Sequence, residues 1–215
     1  LSRLSIVADE LDDTLNRPIN YKLAVPLVHV SQQESYMLYK NIAKFIETDI
    51  FLKSSISADN QVHNLKEFIK EKFSTFDTAY TYPLTLTQLA ALKQGSEQEA
   101  QELYALHQGL EKLEHQDLDS ILKTLTIDAV EAKKLVKNKH YVILKEQLDN
   151  SNELINAVPV VGERAAKETR FGGGMQGFLH YEIEKKNPEL AGRFNYYIPT
   201  SIIFDLNAKN LFDNI

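Results

Sequence analysis

Apolar residues recur along most of this chain at intervals of three and four. Leu4, Val7, Leu11 and Leu15 share one face of a helix that Arg17-Pro18 then breaks. Leu38, Ile42, Phe45, Ile46 and Ile50 carry the same period through Ser31–Leu52, and Leu65, Phe68, Ile69, Phe73 and Phe76 carry it through Val62–Phe76. "SSISADN" between them reads as a turn rich in capping residues. "TAYTYP" ends the second stripe at Pro83, and Leu84–Leu92 makes a short helix stopped by Gly95. Ser96 and Glu99 have the spacing of a capping box. Leu103, Leu106, Leu110 and Leu113 then step by three, four and three, a coiled-coil-like stripe that suits a core or a homodimer seam. A further helix is expected from Thr126 through Val130, Leu135, Val142 and Ile143 to Leu148, and another over Phe178–Lys186, ended by Asn187-Pro188.

Two stretches do not declare themselves. "YKLAVPLVHV" (Tyr21–Val30) is rich in β-formers but interrupted by Pro26, and reads as an extended link or a short helix start. "TSIIFDL" (Thr200–Leu206) suits a strand or a C-terminal helix from Ser201. A strand there, paired with the first stretch, would make the fold α+β. The dominant period instead predicts an all-α fold, an elongated antiparallel bundle or two stacked bundles. One domain over residues 1–215 is expected, with a sub-boundary near 159–177.

Composition adds exclusions. With no cysteine among 215 residues, thiolate catalysis, disulfides and thiolate zinc sites are absent. A formal charge of −6 argues against a general nucleic-acid binder. No apolar run approaches the roughly 20 residues of a membrane span. The chain begins at Leu1, as a processed product or a piece of a longer protein would.

Four of the 8 glycines fall between Gly172 and Gly177, inside "RFGGGMQGFLHYE". Gly172, Gly174 and Gly177 match Gly-x-Gly-x-x-Gly, but "ERAAKETRF" ahead of them is no buried strand, so a dinucleotide fold is not implied. Glycines ahead of a helix also leave amides open to an anion. Arg170, Gly172, Gly173, Gly174, Gln176 and His180 are therefore the candidate binding residues for a small anionic ligand, with Arg164 and Lys167 nearby. The competing reading is a tight connection that needs glycine only for its backbone. His180 with Glu184, His63 with Glu67, and Glu111 with His115 have helical metal-pair spacing but no third ligand, so no metal is expected. No Gly-x-Ser-x-Gly elbow or isolated carboxylate pair suggests an enzyme, and no cofactor is implied.

Gly174, Gly177, Leu179 and His180 resemble a Gly-Tyr-Gly-Gly-x-Ile-His-x-Phe-Lys-Asn motif of sensory regions in bacterial transmembrane receptors. These receptors carry diguanylate cyclase, histidine kinase or methyl-accepting outputs. Met175, Gln176, Glu182 and Ile183 depart from the motif, and "KKNPEL" resembles its Arg-Gly-Asp-Pro-x-Tyr continuation. The resemblance implies a helical, non-enzymatic sensing domain on the periplasmic or extracellular side of the inner membrane. It implies a membrane-anchored parent chain, and a small ligand or periplasmic binding protein as partner. A helical adaptor or scaffold of a secretion machine, acting through protein contacts, is the other reading.

Overall fold

The structure, a computed structural model, describes residues 21–26, 30–53, 58–73, 98–114, 117–147, 153–162, 164–167 and 169–206. The described elements run β1 (Tyr21–Pro26), α1 (Gln32–Phe45), α2 (Asp49–Lys53), α3 (Ala58–Phe73), α4 (Gln98–Glu114), α5 (Leu118–Lys133), β2 (Tyr141–Gln147), β3 (Glu153–Val161), β4 (Arg164–Ala165), α6 (Met175–Lys186), a 3-10 turn at Pro188–Leu190, and β5 (Pro199–Leu206). The fold is thus mixed, not all-α. Helices dominate, but an antiparallel sheet of order β2-β3-β4 stands beside them. The predicted helix at Leu4–Leu15, the short helix at Leu84–Leu92 and the Ser96 cap lie outside the described residues.

Two compact units are present. One contains the β1–β5 ribbon, in which Tyr21 faces Leu206 and Pro26 faces Pro199 with two register shifts. "TSIIFDL" is therefore a strand, and it pairs with the start of "YKLAVPLVHV". The other unit is Leu27–Ile198. The expected sub-boundary at 159–177 falls inside it.

Within that second unit α1 is central. Ser31 starts it with a full capping box: Ser31 Oγ accepts from the Glu34 amide (3.3 Å), and Glu34 Oε2 accepts from the Ser31 amide (2.8 Å). Leu38, Tyr39, Ile42 and Phe45 are fully buried, and α1 packs on α3, α4, α5 and α6. The helix expected over Ser31–Leu52 breaks at Thr48, whose hydroxyl donates to the Phe45 carbonyl at 2.7 Å. All four leucines of the Leu103–Leu113 stripe are buried against this unit's own core, so the stripe is spent on folding. Gly109 lets α4 approach α1 closely, because a Cβ there would lie 3.1 Å from Leu38.

The helix predicted from Thr126 to Leu148 ends at Lys133 instead. Asn138 adopts φ 65°, a left-handed turn that asparagine tolerates and a helix does not. Beyond it, Tyr141–Gln147 pairs with β3 in register, Tyr141 opposite Pro159 and Gln147 opposite Glu153. The Val160 amide donates to the His140 carbonyl, so even-numbered residues of β3 bond toward β2 and odd-numbered residues face the outer edge. Pro159 is an outer-edge residue, where its missing N–H costs no bond to β2.

Candidate functional site

The outer edge of β3 explains the histidine. β4 covers only Val160 and Val161. The Ile155 amide donates to the Arg193 carbonyl at 2.9 Å, and the Pro159 carbonyl accepts from the Ala166 amide at 2.9 Å. Ala157, between them, is served by side chains from α6. Its carbonyl accepts from Gln176 Nε2 at 2.9 Å, and its amide points to His180 Nε2 at 3.3 Å. Two helical side chains, one turn apart, thus replace the backbone of a missing strand.

The network fixes every proton. Ala157 N–H can only donate, so His180 Nε2 is an acceptor, and Gln176 Nε2 also reaches it at 2.6 Å. The imidazole proton therefore sits on Nδ1, which faces the Asn195 carbonyl at 3.1 Å. Gln176 Oε1 accepts from the Phe171 amide at 3.0 Å. Gln176 has used both N–H groups and its carbonyl, and it is 2% exposed. His180 is 1% exposed. Burial pushes its pKa down to about 4; the Asn195 contact opposes this and the Arg170 charge adds to it. The ring is neutral and engaged at both nitrogens.

The glycines are equally specific. Gly173 has φ +60°. The Gly174 amide donates to Asp128 Oδ2 at 2.7 Å, so a carboxylate from α5 occupies the start of α6. The anion anticipated at this helix end is the protein's own. A Cβ on Gly174 would lie 2.4 Å from Leu125, and one on Gly177 would lie 2.2 Å from the Tyr39 ring. Gly172 is exposed, with no atom within 4 Å of a Cβ built there. Arg170 is exposed and folds onto its own loop, donating to the Lys167 and Thr169 carbonyls. Of the six candidate residues, Gln176 and His180 are thus joined in one buried network, Gly173 and Gly174 lie against Asp128, and Arg170 and Gly172 are exposed. Asp128, which accepts from the Gly174 amide, was missed. Its one signal is a carboxylate set between Leu125 and Ala129 on the apolar side of a helix.

Glu184 does not join His180 in a metal pair; it accepts from the Tyr196 hydroxyl at 2.9 Å. Glu67 binds Lys70 rather than a metal partner of His63, and His115 lies outside the described residues. No group of three metal-ligating side chains occurs among the described residues.

A different concavity, of about 430 Å³, opens between α1, α3 and α4. Met37, Phe68 and Leu103 give it apolar walls, and Lys40, Lys44, Lys72, Glu71, Glu99 and Glu102 ring it. Asn41 lines it although only 4% exposed. One Nδ2 proton goes to the Met37 carbonyl at 2.8 Å, and Oδ1 accepts from none of the described residues. The pattern does signal this residue: asparagine interrupts the face that Leu38, Ile42 and Phe45 define.

Comparison of the chain with protein-family models, curated proteins and solved structures gives no match. The likeness to receptor sensory regions rests on Gly174–His180 and the "KKNPEL" continuation, and in this structure most of Gly174–His180 is buried in the packing of α6.

Proposed function

We propose that residues 27–198 form a ligand-sensing module, without catalytic chemistry of its own, whose seat is the α1/α3/α4 groove. The observation that carries this reading is Asn41, a nearly buried amide whose oxygen accepts from none of the described residues, lining a groove of small-molecule size. The glycine loop is a weaker seat, because Asp128 fills it and both His180 nitrogens are engaged. The same engagement favours a binder over an enzyme, since the imidazole is not free to move protons. α1 carries Asn41 and also packs on α5 and α6, so occupancy of the groove could be passed on as a small shift of one packed helix against others. Placement in a bacterial membrane receptor, facing the periplasm, follows the resemblance at Gly174–His180. No described helix is long and apolar enough to cross a membrane, so an anchor would lie elsewhere in the parent chain.

A thermal-shift screen against small organic acids, amino acids, nucleotides and oxyanions tests the seat. Hits are expected to raise the melting temperature of the chain and of Arg170→Ala, and to vanish in Asn41→Ala. A hit lost in Arg170→Ala but kept in Asn41→Ala would return the site to the glycine loop. A flat screen would favour the adaptor reading.

A further inference from the structure

We infer that the α1/α3/α4 groove takes an uncharged ligand with an N–H beside an acceptor in one plane, the edge shared by lactams, carboxamides and nucleobases, and that the Asn41 side chain reads that edge. This rests on the groove being the ligand seat.

The ligand class follows from the Asn41 amide itself. One bond tells its nitrogen from its oxygen: Nδ2 lies 2.8 Å from the Met37 carbonyl, and the reversed amide would set two acceptors against each other. A primary amide has two N–H groups. The one on the Cβ side points back toward its own helix and reaches the carbonyl one turn earlier, that of Met37. The other lies on the oxygen's side. Neither it nor Oδ1 has a partner among the described residues. Asn41 is 4% exposed and lines the groove, so the groove is where the amide opens. It offers there one donor beside one acceptor.

Such a pair selects its ligand. A carboxylate or phosphate would use the N–H and be repelled by Oδ1. An ammonium would use Oδ1 and be repelled by the N–H. A flat group with its own donor and acceptor side by side makes two bonds at once, as asparagine does when it reads the edge of adenine. The rim has no net sign to favour an ion: three lysines stand with three glutamates, and Lys40 is bound to Glu102 at 2.6 Å. Met37, Phe68 and Leu103 wall the same groove. Phe68 is already set in place, its ring 5.6 Å from that of Phe45 and 4.4 Å from the Lys72 ammonium. A ring or short apolar body on the ligand would rest on that wall. The competing account is that water alone meets the Asn41 amide.

The test is a nitrogen-15 NMR titration of the 215-residue chain with three pairs of compounds: valerolactam and N-methylvalerolactam, nicotinamide and N,N-dimethylnicotinamide, uracil and N,N′-dimethyluracil. In each pair methylation removes the N–H and leaves the carbonyl. At least one parent compound is expected to shift the side-chain amide signal of Asn41 and the backbone amides of Met37, Phe68 and Leu103. It should bind about tenfold tighter than its methylated form, the worth of one good hydrogen bond. The pair that responds says whether the edge belongs to a lactam, a carboxamide or a base. Asn41→Leu should erase the preference while circular dichroism shows the helices intact. If that variant does not fold, the comparison within each pair on the unaltered chain still decides. Equal affinity within every pair, or a preference that survives Asn41→Leu, overturns the inference. If none of the six binds but another compound does so in an Asn41-dependent way, the ligand class falls and the seat stands. If nothing binds, water is the occupant and both fall.

Discussion

Gly177 and His180 show how narrowly single residues are specified here. An alanine at 177 would press its Cβ into the Tyr39 ring at 2.2 Å. Tyr39 has no room to yield: it is fully buried, lies edge-on to Phe178 at 4.6 Å, and donates its hydroxyl to the Tyr197 carbonyl. Gly177→Ala is expected to cost about 1–3 kcal/mol by overpacking, read as a lower urea midpoint with little change of slope. His180 titrates near 4 when folded and near 6.5 when unfolded, so below 6.5 the unfolded chain binds the extra proton. Its contribution is intact above pH 6.5 and is lost as pH falls toward 4, at about 1.4 kcal/mol per unit. Urea titrations at pH 7 and pH 5 should show that loss, and His180→Gln should flatten it. An unchanged slope in that variant would assign acid sensitivity to other groups.

Among elements, α6 depends on a partner 46 residues away for its start. Its N-cap is Gly174, which has no side chain to offer, and its first turn holds no acid. Asp128 supplies the missing oxygen from α5. Asp128→Ala should cost about 1–2 kcal/mol, and Asp128→Asn less, because an acceptor is kept while the charge at the positive helix end is lost. Amide exchange at Gly174 and Met175 should quicken in the alanine variant more than exchange in α4. This long-range cap also marks where sequence reading stops. The stripes at Leu38–Phe45, Leu65–Phe73 and Leu103–Leu113 were legible because one period of burial governs each helix. "YVIL" in β2 was not, since a short apolar run looks alike in a buried strand and a buried helix. The left-handed turn at Asn138 separates α5 from β2, and it depends on one residue that also occurs inside helices. The glycine cluster was visible as unusual, but nothing local shows that a distant carboxylate fills it.

For the molecule as a whole, the division into two units sets an expectation. β1 pairs only with β5 among the described strands, and the described core runs from Val30 to Ile198. A chain cut to residues 27–198 should keep a cooperative thermal melt and its helical circular dichroism. A non-cooperative melt would mean that the second unit needs the first. The surface ties within Leu27–Ile198 are modest by comparison. Glu47 receives Lys133 and Lys185, each at 2.8 Å, and joins the end of α1 to α5 and α6. The Glu47 pKa is lowered chiefly by those two lysines, yet the site is open to water and salt will screen it.

The side chains at Ala157 have a consequence for how the protein keeps to itself. An uncovered strand margin is a template on which another chain can stack, and proteins often guard such margins with charge or proline. Here the guard is an amide and an imidazole from a helix, with Pro159 beside them. Removing Gln176 or His180 would do more than weaken the fold. It would leave the amide and carbonyl of Ala157 open on that margin, between the bonds that Ile155 makes to Arg193 and Pro159 to Ala166, and an open stretch of strand backbone invites a second chain.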